Sequence, residues 1–281
     1  MANAYISVDT LRGTGALNIS GTAYDGRLLA ISEAVSRQVD RYANREFFPK
    51  TEVKIFDGNG RNELFLPDLV AVGTLKEDTN LDGTFETGWA TTDYDLEPAN
   101  ASPTADWGRP YSRLTVNLKS NGSQDTFLRE RRNYQLTGTW GYRQVTKDSV
   151  RNGTLADGTT GTLTLDGSAS ALEVGQTVQI ESEWCYVTAY SGTAATVERA
   201  KNGSTGTAHA DKDVLIIEYP GPVSEAVLIQ VSRLWKRKDS GFATEIGMPE
   251  TGQITVFRGL DPDVKELLNP YRKLVVAGFG G

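Results

Sequence analysis

Between Tyr24 and Phe48 the chain reads YDGRLLAISEAVSRQVDRYANREFF, and this stretch constrains the rest more than any other. Leu28, Ile31, Val35, Val39 and Tyr42 fall three or four residues apart, which places them on one stripe of a helix, with Arg27, Glu33, Ser36, Arg37 and Asp40 off it. Asp25 is the expected N-cap and Pro49 the expected stop. One such helix cannot bury its stripe alone, and the best partners in the sequence lie at the far end. PVSEAVLIQVSRLWKRK opens on Pro222 and carries Val223, Val227, Leu228, Val231, Leu234 and Trp235 at helical spacing. In LDPDVKELLNPYRK, Asp261 caps, Pro262 opens, Val264, Leu267 and Leu268 form the stripe, and Asn269 and Pro270 end it. A shorter capped turn is expected from Ser7 to Leu11. The predicted fold class is therefore α+β, with a helical core formed by residues 1–50 and 221–281. The β-rich middle is looped out of that core in two insertions, since chain ends that lie close together tolerate this.

After Pro49 the period changes from helix to strand. Val53 and Ile55 alternate with Glu52 and Lys54, the turn DGNG follows, then ELFLP, and together they read as a hairpin. Leu114, Val116 and Leu118 alternate with polar residues. Tyr134, Leu136, Trp140 and Tyr142 share one parity, with Gly138 between them. Residues 51–147 are read as an antiparallel β-domain with long loops, the longest from Glu97 to Pro110. Beyond a Gly-, Thr- and Asp-rich break, TLTL, TVQIE, WCYVTAY, ATVER and VLIIEY are short apolar units bounded by glycine. This spacing predicts a small β-barrel-like insertion over 148–220.

Charge and composition narrow the function. The net charge of −7 disfavours a protein that clamps DNA phosphates, because that binding runs on excess Lys and Arg. Cys185 is the only cysteine, so no intrachain disulfide is expected. MANAYISVDT lacks the charged-then-apolar pattern of a signal peptide, and the longest apolar runs are far short of a membrane span. The Asn-x-Ser/Thr triplets are accordingly read as turn chemistry. A soluble protein made in the cytosol is expected.

The sharpest local motif is DTNLDGTFE. Asp78, Asn80 and Asp82 offer oxygens at alternate positions before Gly83, as a calcium loop requires, and Glu86 follows. Trp89 occupies the position where a bidentate glutamate would close the shell, so no metal is assigned, and the alternative is a hairpin tip. His209 is the only histidine, which excludes sites that need two, and its glycine- and alanine-rich surroundings favour a structural role. Cys185 alternates with Trp184 and Tyr186 and is read as core. No phosphate loop, dinucleotide fingerprint or acid/base pair stands out. No catalytic residues and no cofactors are expected. Arg129, Arg131 and Arg132, and the cluster Lys236 to Lys238, are solvated faces or sources of inter-subunit salt bridges. Trp89, Trp107 and Trp140 are candidates for a sugar-stacking surface, although Trp140 sits on an alternating strand.

The order of several landmarks resembles the head–tail connector (adaptor) proteins of long-tailed bacteriophages. These are the early ISVDTL, the helix ending SEAVSRQVDRYANREFF, IFDGNG followed by LFLPDLVAV, TDYDLEP, GRPYSRL, GTWGY, RLWKRKDSGF and the closing GLDPDVKELLNPYRK. They span roughly two thirds of the chain. The remainder, ESEWCYVTAYSGTAATVERAKNGSTGTAHA, looks like a small β-module of phage structural proteins, in which a glutamate-led strand is followed by V-x-R, an Asn-Gly-Ser/Thr turn and Ala-His. The resemblance implies a non-enzymatic virion protein of the neck, forming a ring of about twelve copies. That ring sits beneath the portal protein, extends the DNA channel and offers a platform to a stopper or tail-completion protein. Double-stranded DNA passes through it without specific binding. It also implies that the C-terminal segment, Tyr271, Leu274, Val275, Val276 and Phe279, inserts into the portal. The competing readings are a carbohydrate-binding, adhesin-like β-protein and a hydrolase built on His209. The first draws on the tryptophans and the calcium-like loop, and the second lacks a convergent nucleophile and acid.

Overall fold

The computed structural model describes residues 3–119, 124–167, 172–238, 245–248, 252–255 and 259–273. Two compact units emerge. One comprises Met1–Asn44, Lys147–Lys201 and Thr205–Lys273, and the other Arg45–Thr146 with Asn202–Ser204.

In the second unit, six antiparallel strands form one sheet: β1 (Lys50–Phe56), β2 (Glu63–Glu77), β3 (Thr87–Trp89), β4 (Tyr94–Glu97), β5 (Tyr111–Val116) and β6 (Tyr134–Trp140), in the order β1-β6-β2-β5-β4 with β3 on β2. The expected hairpin of β1 with β2 does not form, because β6 lies between them, pairing Val53 with Thr137 on one side and Leu75 with Leu136 on the other. β6 suits the central place. Tyr134, Leu136 and Trp140 are buried on one face, and a Cβ on Gly138 would meet the Ala71 carbonyl at 2.6 Å. The core stacks Trp89 on Phe127 at 5.0 Å, with Tyr134 edge-on to both. The buried Glu77 carboxylate accepts from the Trp89 indole and from the Tyr134 hydroxyl, each at 3.0 Å. These bonds satisfy the two polar tips that such rings carry into a core.

In the first unit, β7 (Val145–Leu155), β8 (Thr162–Leu165), β9 (Thr177–Ile180), β10 (Glu183–Ser191), β11 (Ala194–Lys201) and β12 (His209–Glu218) close into a barrel in the order β10-β11-β8-β7-β12-β9. Its interior is filled by Leu155, Leu163, Leu165, Val178, Ile180, Cys185, Val187, Val197 and Val214. Gly153 must be glycine, since a Cβ there would lie 2.6 Å from Leu163 and 2.7 Å from Val214. The helices α1 (Val8–Arg12), α2 (Asp25–Ala43), α3 (Gly221–Arg237) and α4 (Pro262–Leu268) belong to this unit, as does the strand pair β13 (Glu245–Met248) and β14 (Gly252–Thr255).

The expected α+β fold with a helical core is overturned. Among the described residues the protein is mainly β, with two six-stranded antiparallel sheets, one of them the closed barrel, and only 21% helix. The physical reason lies in what covers α2. Leu28, Val35 and Val39 of the expected stripe are buried, but so are Ser32, Ser36 and Ala43. The two serines bond the N-terminal segment, Ser32 Oγ donating to the Ile6 carbonyl at 3.1 Å and Tyr5 N–H to Ser36 Oγ at 3.0 Å. That segment in turn joins the barrel unit through Val8 N–H to the Val174 carbonyl at 2.9 Å and Thr177 Oγ1 to Asn3 Oδ1 at 2.8 Å. The apolar cluster among the helices joins Val8, Leu28 and Trp235 of three helices to Val174 in the loop ahead of β9, and it is smaller than the barrel core of the same unit. At the ends of α2, Asp25 is the first helical residue and receives Arg12 at 3.3 Å instead of capping. The helix stops at Asn44 in the left-handed conformation, before Pro49 is reached. Ser7 and Asp261 do cap α1 and α4, accepting from Thr10 N–H and Asp263 N–H.

Candidate functional site: a buried glutamate in the barrel

Glu183 opens β10 as the one charge ahead of an apolar run, and its side chain is 0% exposed. An isolated carboxylate in that position would cost several kcal/mol, so partners are required. Arg199 on β11 supplies a two-pronged contact, Nε to Oε1 at 2.7 Å and Nη2 to Oε2 at 2.6 Å. Its remaining N–H groups donate to the carbonyls of Asp157, Thr160 and Thr207. Ala200 N–H donates to Oε1 and Thr207 N–H to Oε2, each at 3.1 Å. His209, at the start of β12, brings Nε2 within 2.9 Å of the same Oε2, while its Nδ1 faces Glu181 Oε2 at 2.8 Å. Lys212 completes the outer layer, 3.1 Å from Glu181.

The backbone delivers these groups. Asn202 and Gly203 both take left-handed conformations, reversing the chain after β11 so that Thr207 and His209 return to the carboxylate. Gly158 and Gly206 let two loops close over the site, since a Cβ on Gly206 would lie 2.5 Å from the Gly158 carbonyl. Burial by itself would raise the Glu183 carboxyl. The bonds from Arg199, Thr207, His209 and Ala200 outweigh it and hold the group down at about 2. Burial, followed by the Glu183 charge, pushes the neighbouring Cys185 thiol up to about 12, so the sulfur is a protonated core atom. With six donors on its two oxygens, the Cys185 thiol among them, and no exposed surface of its own, Glu183 holds three barrel segments together.

Sequence reasoning singled out His209 and Cys185 separately and did not name Glu183, Glu181 or Arg199 as a site. The signal available was a glutamate directly ahead of Trp-Cys-Tyr-Val, a charge in a strand otherwise bound for the interior.

The remaining candidates fall elsewhere. Asp78, Asn80 and Asp82 lie in the loop joining β2 to β3, and ligand oxygens of Asp78, Asp82 and Glu86 lie within 4.8 Å of one another. Those oxygens already accept loop donors. Gly83 N–H reaches Asp78 at 2.8 Å, Asp82 N–H reaches Asn80 at 3.0 Å, Thr84 N–H reaches Asp82 at 2.8 Å, and Thr79 Oγ1 reaches Glu86 at 2.6 Å. Trp89 at the closing position is buried and committed to Glu77. The three tryptophans do not share a surface, because Trp89 and Trp140 are core and only Trp107, 75% exposed, faces solvent. Tyr271 lies half-buried in a short 3-10 turn, Asn269–Tyr271. Leu274, Val275, Val276 and Phe279 lie outside the described residues. No family model matches the chain, and no curated protein is significantly similar to it.

Proposed function

We propose that the chain is a structural, non-enzymatic adaptor of a phage virion neck. It forms a ring of about twelve copies by head-to-tail contacts. The ring docks on the portal protein, extends the DNA channel, and presents a platform to a stopper or tail-completion protein. One observation carries the reading. Glu183 of the glutamate-led strand, Arg199 of the V-x-R and His209 of the Ala-His, all parts of a pattern that resembles a phage β-module in sequence, meet at one buried carboxylate, with the Asn-Gly-Ser turn reversing the chain between the last two. A spacing whose members touch is a physical unit and not a coincidence of composition. The net charge of −7 agrees with a channel past which DNA slides, since a strongly positive wall would hold phosphates. In this reading Tyr271, Leu274, Val275, Val276 and Phe279 insert into the portal.

The test is to mix the purified protein with the portal ring of the same phage and image the product by cryo-electron microscopy. A second ring stacked coaxially on the portal is expected. Absence of any association with an intact portal would refute the assignment. Removal of all residues after Tyr271 should abolish docking, and docking that survives it would remove the tail from the interface.

A further inference from the structure

Two surfaces of opposite charge stand on each copy, one on each unit. On the sheet unit, the turn leading into β6 exposes Arg129, Arg131 and Arg132, and among the described residues none of the three takes part in an ion pair. The turn is preorganised. Gly58 N–H donates to the Glu130 carbonyl at 2.8 Å, Arg132 N–H to Asp57 Oδ1 at 2.7 Å, and Leu128 N–H to the Tyr134 hydroxyl at 2.7 Å. Leu128, beside the arginines, is 52% exposed. On the barrel unit, a groove of about 750 Å3 is lined by Asp148, Glu173, Glu218 and Glu225, with Ile216 and Leu228 among its apolar walls and Lys147 as its one cation. Asp148, Glu218 and Glu225 are exposed, and among the described residues no ion pair neutralises them.

We infer that the arginine turn of one copy docks in the acidic groove of a second copy. Three arginines with one carboxylate, Glu130, face four carboxylates with one cation, Lys147, and Leu128 is available to Ile216 and Leu228, which gives charge complementarity around an apolar contact. A second copy is the occupant because every copy carries both halves, and the turn and the groove are different surfaces. Such a contact is head-to-tail, and it builds a ring when the rotation from one copy to the next closes. The inference rests on the ring-forming reading above and names the surface that builds the ring.

The test is a charge swap read by sedimentation velocity and cross-linking. One variant carries Arg129→Glu, Arg131→Glu and Arg132→Glu, and the other Asp148→Lys, Glu218→Lys and Glu225→Lys. All six side chains are exposed, so both variants should keep the wild-type circular dichroism spectrum. Each alone should raise the concentration needed for self-association by on the order of 100-fold, because like charges then meet. An equimolar mixture of the two should restore association, since each variant supplies the half that the other needs. Rings on the portal that form equally well from both variants would overturn this contact and leave the adaptor reading standing. A wild type that stays monomeric alone and with the portal would overturn both.

Discussion

Replacing Glu183 by glutamine removes the charge at the centre of the barrel network and keeps its shape. The folded carboxyl sits at about 2 against an ordinary 4.5. At about 1.36 kcal/mol per tenfold change, that difference contributes roughly 3 kcal/mol at neutral pH. The sign follows from the direction. A group depressed on folding stabilises fully above its unfolded value, and the contribution fades as pH falls from about 4.5 towards 2. Glu183→Gln also leaves Arg199, 7% exposed, without its counter-charge, and breaking a buried pair from one side costs about 3–5 kcal/mol. Both routes give a loss near 3 kcal/mol at pH 7. With a urea slope of about 3 kcal/mol/M, the midpoint of unfolding should drop by about 1 M. Urea titrations followed by circular dichroism at pH 7 and pH 3 would measure it, and the gap between wild type and variant should shrink at the lower pH. An unchanged midpoint at pH 7, or a gap that does not depend on pH, would refute the argument. Adding Arg199→Met to Glu183→Gln should recover part of the loss, because the second substitution removes the stranded cation.

Three further outcomes are expected. Leu136→Ala, at a fully buried position on the central strand, should cost about 2–5 kcal/mol, measured by thermal or urea unfolding, whereas Val53→Ala on the exposed face of β1 should change little. Calcium should leave the melting temperature unchanged, since the loop carboxylates already accept loop donors. A site with a 1 mM dissociation constant would stabilise by about 1.4 kcal/mol at 10 mM calcium, so a rise of several degrees would show that the loop is a cation site. In acrylamide quenching, one readily quenched fluorescence component is expected, and Trp107→Phe should abolish it, since the other four tryptophans are at most 8% exposed.

Much of the local structure was legible in the sequence, while the layering was not. The stripe Leu28, Val35 and Val39, the caps Ser7 and Asp261, and the alternation in β6 each follow from short-range periodicity and end where turn residues intervene. Periodicity reports which side of an element is buried, but not what buries it. Ser36 reads as the polar side of α2, yet it accepts from the Tyr5 N–H, and Ser32 one turn earlier donates to the Ile6 carbonyl, which ties the helix to the N-terminal segment of the barrel unit. DGNG gave a strong hairpin signal, but Gly58 donates to Glu130 and to Asn133 in the turn ahead of β6. At the candidate site, His209 drew attention because it is unique, whereas Glu183, one of many acidic residues, holds the network. Its role appears only when three distant segments are folded onto it.

The placement of β6 between β1 and β2 also sets a schedule for the nascent chain. Lys50 pairs with Trp140, so β1 leaves the ribosome 90 residues before its partner. At about 5–20 residues synthesised per second, that is a wait of roughly 5–20 s. The unit spanning Arg45–Thr146 nevertheless has nearly all of its chain once Thr146 has emerged. In the other unit the bonds of Val8 and Asn3 to Val174 and Thr177 form only once those residues are made, and the Ala43 carbonyl meets Lys273 N–H later still. Synthesis therefore supplies nearly all of the sheet first and the barrel partners of the N-terminal segment only afterwards.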